Sequence, residues 1–142
     1  NPKLPIIDSH MAQYCPLRIL IAEDNTVNQK VVLRMLERIG YQATLAETGV
    51  EVLAALRQQP YDLILMDMQM PDMDGLTATR MIQQEWSPQI RPTIVALTAN
   101  ALPGDREHYL ENGLDDYLGK PIRLNDLIEL LRSVHSKRQS RT

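Results

Sequence analysis

Between Leu17 and Val134, short apolar runs alternate five times with stretches of helical period, and this alternation limits the chain to very few folds. Leu17–Ala22 (LRILIA), Tyr41–Ala46 (YQATLA), Tyr61–Met66 (YDLILM), Thr93–Leu97 (TIVAL) and Leu114–Leu118 read as strands. After the first strand, Val27, Val31, Met35 and Ile39 recur at helical spacing up to Gly40, with Thr26 and Gln29 placed as a capping box. The second helix is expected over Thr48–Gln59, with Thr48 and Glu51 as its capping pair and Pro60 as its stop. A third runs from Gly75 to about Glu85, and Ser87–Pro92 connects it to the next strand. A fourth spans about Leu102–Asn112, stopped by Gly113. Leu124, Leu127, Ile128, Leu131 and Val134 mark the fifth. Strands without polar alternation suit a parallel sheet covered on both faces. Right-handed crossovers then give an α/β, doubly wound, five-stranded open sheet.

The remaining sequence narrows the class further. The 142 residues suffice for one core, and 44% hydrophobic with 23% charged residues is an ordinary globular balance. A net charge of -3 disfavours a general nucleic-acid binder. The single cysteine, Cys15, excludes an internal disulfide and a multi-thiolate zinc site. No apolar run approaches the roughly 20 residues that span a bilayer, and no signal peptide is seen. Residues 1–16, with three prolines and no period, are expected to form a linker; 17–134 the folded domain; and 135–142 a basic, frayed tail. A start at Asn1 suggests a fragment or a processed product.

In such sheets the functional crevice lies outside the carboxyl ends of the strands. That rule sorts the eighteen acids. Glu23 and Asp24 follow the first strand, Asp67 the third, Thr98 the fourth, and Lys120 with Pro121 the fifth. Asp62 opens the third strand and belongs at the opposite edge. Three carboxylates brought together repel one another and require a cation or raised pKa values. Oxygen ligands favour a hard divalent ion, Mg²⁺ above all. Lysine and threonine beside such an ion suit an anion, the one as a point charge and the other as a hydrogen-bond donor. A phosphoryl group accounts for every member, and carboxylates can form acyl phosphates.

Each residue also has a plainer reading. Glu23 and Asp24 could charge a helix start, Asp67 could end a strand in a turn, Thr98 could cap a helix, and Lys120 could be solvated. Their convergence on one crevice favours the site. Met66 is expected in the core, with Met68, Met70 and Met73 packing around the following loop or at a partner surface. Asp72, Asp74, Asp115 and Asp116 read as solvated turn residues, and Asp105, Glu107 and His108 as an exposed helix face. His10, His108 and His135 have no neighbours at ligand spacing.

Four segments, IAEDN (Ile21–Asn25), LILMDMQMPDMDG (Leu63–Gly75), LTAN (Leu97–Asn100) and DDYLGKP (Asp115–Pro121), resemble the receiver domains of two-component response regulators (CheY-like). EDNTVNQKV with QMPDMDG is most similar to receivers fused to hybrid sensor histidine kinases. The resemblance implies the flavodoxin-like (βα)5 fold with strand order 2-1-3-4-5. It implies Asp67 as the phosphoryl acceptor, with Glu23, Asp24, Asp67 and the Gln69 backbone carbonyl around Mg²⁺. Thr98 and Lys120 would contact phosphoryl oxygens, and Thr98 and Tyr117 would form the conformational switch. Gln69 and Asn100 would tune hydrolysis. Gly119 stands where many relatives carry Ser or Ala. The implied partner is a histidine kinase or histidine phosphotransfer domain, in the cytoplasm, with or without a tether to a membrane sensor. The implied domain is a monomer or a weak dimer through the face of the fourth helix, fifth strand and fifth helix. It is not itself an enzyme beyond self-phosphorylation and autodephosphorylation, though a parent chain could be a kinase.

Two rivals remain. A phosphatase of the haloacid-dehalogenase type would also use Asp, Thr, Lys and Mg²⁺, but it places a second Asp where this chain has Gln69. A docking module that is never phosphorylated would have no need of the acids.

Overall fold

The five apolar runs form one parallel sheet in the computed structural model, which describes residues 9–70, 73–99 and 104–140. Its strands are β1 (Ile19–Ala22), β2 (Ala43–Ala46), β3 (Leu63–Asp67), β4 (Thr93–Thr98) and β5 (Asp116–Gly119), ordered β2-β1-β3-β4-β5. Helices α1 (Met11–Tyr14), α2 (Thr26–Arg38), α3 (Gly49–Gln58), α4 (Gly75–Glu85), α5 (Asp105–Glu111) and α6 (Leu124–Gln139) complete it. Among the described residues no helix is long and apolar enough to cross a membrane.

The central strands are apolar throughout because both of their faces are covered. Side chains alternate across a strand. Ile19, Ile21, Leu63, Leu65, Val95 and Leu97 meet Val32 and Leu36 of α2 and Leu127 and Leu131 of α6. The intervening Leu20, Ile64, Met66 and Ile94 meet Val52 and Leu53 of α3 and Ala78 and Ile82 of α4. Each fully buried aliphatic side chain contributes about 1.5–3 kcal/mol. Parallel register aligns the strand ends: Ala22 lies beside Met66, Asp67 beside Leu97, and Thr98 beside Gly119. The carboxyl ends therefore open onto one crevice.

Local chemistry sets several boundaries differently from the sequence reading. Asn25, rather than Thr26, caps α2, its side chain accepting from the Asn28 N–H at 3.0 Å. Gln29 cannot close the expected box, because it is buried and donates to the Glu23 carbonyl at 2.7 Å. Of the α2 stripe, Ile39 is buried and Met35 packs against the core, but Val27 is 68% and Val31 42% exposed, and Val32 and Leu36 are buried in their place. Thr48 caps α3 as expected, accepting from the Glu51 N–H at 3.1 Å. Asp74, read as a solvated turn residue, caps α4 by accepting from the Thr77 N–H at 2.8 Å. Asp115, also expected as a solvated turn residue, instead accepts from the Ile94 N–H at 2.8 Å with its carboxylate and fastens the start of β5 to β4. The strand proper begins one residue later, because the Leu114 N–H still bonds back to Tyr109. Of the helix expected over Leu102–Asn112, residues 102–103 lie outside the described residues.

The expected linker and tail are corrected in part, residues 1–8 and 141–142 lying outside the described residues. Within residues 9–16, a single turn, α1, buries Met11 and Cys15 against the α2–α6 layer. The Tyr41 hydroxyl donates to the Cys15 carbonyl, and the Cys15 thiol approaches the Leu131 carbonyl at 3.8 Å. One turn is too short to show a period, which is why the sequence concealed it. At the other end, α6 continues to Gln139 and Arg138 turns back to the sheet. Its guanidinium donates to the Arg91 carbonyl and to Thr93 Oγ1, each at 3.3 Å, and lies 3.5 Å from Asp62.

Candidate functional site

The residues at the carboxyl edge are delivered by strand ends. Glu23 and Asp24 leave β1, Asp67 ends β3, Thr98 ends β4, and Lys120 leaves β5. The Glu23 N–H bonds the Ala46 carbonyl at 3.0 Å, and the Lys120 N–H bonds the Thr98 carbonyl at 2.8 Å, so both loops start out tied to neighbouring strands. The Lys120–Pro121 peptide bond is cis. Gly75 lets the start of α4 approach the backbone of Asp67 and Met68. A Cβ there would come within 2.9 Å of the Asp67 carbonyl oxygen and 3.0 Å of Met68 Cα, which are backbone atoms that cannot step aside.

One carboxylate oxygen from each of Glu23, Asp24 and Asp67 lies within 4.8 Å of the other two. Glu23 and Asp67 are buried, and Asp24 is exposed. Lys120 Nζ reaches Glu23 Oε2 at 3.0 Å and Asp67 Oδ1 at 3.3 Å. Asp67 Oδ1 also accepts from the Gln69 N–H at 3.1 Å. Glu23 Oε1 accepts from the Asn25 N–H at 3.2 Å and from the Asn28 amide at 3.5 Å. Glu23, Asp24, Asp67 and Lys120, grouped by the sequence reading, lie together in the structure.

One lysine does not balance three carboxylates. Burial pushes the Asp67 carboxyl upward; the Gln69 N–H pulls it down, the Glu23 charge raises it further, Lys120 lowers it, and the net direction is up. Burial acts to lower Lys120, but its hydrogen bond to Glu23 and the charges of Asp67 and Glu23 prevail and hold the ammonium above its usual range. An all-oxygen set with surplus negative charge and one exposed member fits a hard divalent cation that keeps part of its water shell.

Thr98 is 7% exposed, and its hydroxyl accepts from the Tyr109 hydroxyl at 3.0 Å. The Tyr109 ring stands 6.1 Å from that of Tyr117, tilted by 39°. Sequence reasoning missed Tyr109, since nothing in its spacing relates a residue of α5 to the end of β4. It also missed Asn28 and Gln29, which hold Glu23 through side chain and backbone. Asp72 and Asn100 lie outside the described residues.

The chain is similar to known proteins. The family model described as response regulator receiver domain matches residues 19–132. The chain is 43% identical over 135 residues to Histidine protein kinase 1 of Candida albicans, an alignment covering 89% of this chain and 6% of that protein. It is 37% identical over 131 residues to the signal transduction histidine-protein kinase BarA of Escherichia coli, covering 92% of this chain and 14% of that one. The chain therefore spans a small fraction of these relatives. Among solved structures, the receiver domain of a Pseudomonas aeruginosa sensor histidine kinase, crystallised with a magnesium ion in its active site cleft, matches with TM-score 0.74 and 43% identity over 84% of this chain and 98% of that one. A Saccharomyces cerevisiae response-regulator receiver, crystallised with its histidine phosphotransfer protein, matches with TM-score 0.76 and 29% identity over 86% and 90% of the two chains.

Proposed function

We propose that this chain, which belongs to the response regulator receiver family, accepts a phosphoryl group on Asp67 from a phosphohistidine. The observation that carries this reading is the placement of a buried aspartate beside two further carboxylates, within 3.3 Å of a lysine ammonium. Glu23, Asp24 and Asp67, with the Gln69 backbone carbonyl, would hold Mg²⁺, which supplies positive charge beside the transferring phosphoryl oxygens. The magnesium-bound relative supports that assignment.

In the transfer an Asp67 carboxylate oxygen forms the new P–O bond as the P–N bond to the donor imidazole breaks. The imidazole nitrogen keeps the electron pair. Lys120 neutralises charge on the phosphoryl group, and positioning supplies most of the remaining acceleration. Glu23, gripped by Asn28 and by the turn at Asn25, keeps Lys120 aimed into the crevice. Once phosphorylated, the domain shifts a pre-existing equilibrium. Thr98 moves toward the phosphoryl group, and Tyr117 turns inward, reshaping the face of α5, β5 and α6. That face is also where a weak dimer would form.

The donor is read as a histidine kinase or phosphotransfer domain, supported by the phosphotransfer complex of the yeast relative. The exposed Val31 on α2, with Pro121 and Ile122, offers such a partner an apolar surface beside Lys120. The parent protein is read as a hybrid histidine kinase or a stand-alone regulator, and its cytoplasmic setting rests on the family resemblance alone. Gln69 in place of a second catalytic aspartate speaks against a phosphatase. Incubation with acetyl phosphate and Mg²⁺ tests the reading. The wild-type chain should gain one phosphoryl mass and Asp67→Asn none; undiminished labelling of the variant would move the acceptor elsewhere.

A further inference from the structure

None of the seven residues of helix α5 is buried. Its half-buried Tyr109 leans on the same apolar layer as Leu114 and Met66, and its hydroxyl reaches Thr98 Oγ1 at 3.0 Å. That bond joins a helix with no buried residue to the hydroxyl at the carboxyl end of β4. Beside it, the Tyr109 ring stands 6.1 Å from Tyr117.

We propose that Tyr109 is a latch on Thr98: its hydrogen bond holds Thr98 in the resting position and ties the placement of α5 to that of the Thr98 side chain. The inference rests on Asp67 being the phosphoryl acceptor and adds a positioning residue to that reading. Thr98 has a single hydroxyl with which to serve the phosphoryl group. When the side chain turns toward Asp67, the Tyr109 hydroxyl loses its acceptor. The Tyr109 ring then loses its anchor beside Tyr117, and α5, which has no buried residue to keep it in place, is freed to shift. The latch therefore opposes activation and converts a rotation of Thr98 into movement of a helix.

Tyr109→Phe keeps the ring and removes the bond. With saturating Mg²⁺, calorimetric titration of the whole chain with beryllofluoride should show binding about fivefold tighter in the variant, the size of one ordinary hydrogen bond. Amide exchange in α5 should be faster in the unliganded variant than in the unliganded wild type. In a Thr98→Val background, adding Tyr109→Phe should change neither quantity, since the acceptor is already gone. Unchanged or weaker binding by Tyr109→Phe overturns the latch, as does an equal gain in the Thr98→Val background. Failure of the wild-type chain to bind beryllofluoride at all would instead overturn the acceptor reading and the latch with it.

Discussion

Asp62 immediately precedes β3 and Asp67 ends it, five positions apart, and the fold treats them in opposite ways. Asp62 stands at the amino edge with two cations. The Arg18 backbone N–H and guanidinium donate to it at 2.8–3.2 Å, and Arg138 approaches from the end of α6 at 3.5 Å. Burial acts to raise the Asp62 carboxyl, but the Arg18 hydrogen bonds and the charges of Arg18 and Arg138 outweigh it and hold it below its usual range. Asp67 stands at the carboxyl edge among two further carboxylates and one lysine, and its carboxyl is held up. One aspartate has its charge satisfied by the chain itself. The other has charge left over for something the chain does not contain. Asp62 is matched by two guanidinium groups, whereas Asp67 shares one ammonium with two other carboxylates.

This contrast can be broken experimentally, beginning with the largest effect. Asp24→Ala removes a carboxylate from the undersupplied pole and should weaken Mg²⁺ binding by at least about tenfold in a calorimetric titration, since mutating even the outer-shell partners of metal ligands costs about that much. Asp116→Ala, equally negative but away from the cluster, should leave it unchanged; equal losses would sink the metal assignment. Asp62→Ala should lower unfolding free energy in urea by about 2 kcal/mol, the scale of hydrogen bonds to a charged group, while acetyl phosphate labelling of Asp67 persists. A loss of labelling as large as the loss of stability would erase the division of roles.

The subtlest test is one of sign. A carboxyl depressed by folding, such as Asp62, contributes stability that is present above the unfolded value of about 4 and lost as pH falls through the folded one. A carboxyl raised by folding, such as Asp67, removes stability as pH climbs from about 4 through its folded value. In buffer containing a chelator, the deficit of Asp62→Asn relative to wild type should therefore shrink on acidification below about pH 4. The advantage of Asp67→Asn should instead grow as pH rises above it. Parallel curves for the two variants would show that the poles do not differ electrostatically.

Much of this was legible without coordinates, for reasons that particular residues make clear. The strands could be read because Leu20, Ile64 and Leu65 meet apolar partners on both sides of the sheet, so an unbroken apolar run carries the message. Glu23, Asp24, Asp67 and Lys120 could be grouped because parallel strands place every carboxyl end at one edge. Side-chain direction was less legible. Val27 and Val31 sit at helical spacing yet face outward, because α2 turns Gln29 inward to hold the Glu23 carbonyl. Residues 9–16 looked like a linker because one helical turn leaves no periodic trace. Asp115 looked like a turn residue because its partner is a backbone N–H of a different strand.

The sequence by itself determined the five strands and the helices that follow them, the parallel sheet they form and the edge at which Glu23, Asp24, Asp67 and Lys120 gather. These follow from local hydrophobic pattern and from the geometry of parallel strands. Only the tertiary structure decided how each charge is compensated: that Arg138 returns from the end of α6 to Asp62, that Lys120 is shared between Glu23 and Asp67, and that Tyr109 holds Thr98. Those pairs join residues separated by 11 to 97 positions. Periodicity records which way a residue faces along its own element; it carries no record of which polar group on another element will meet it.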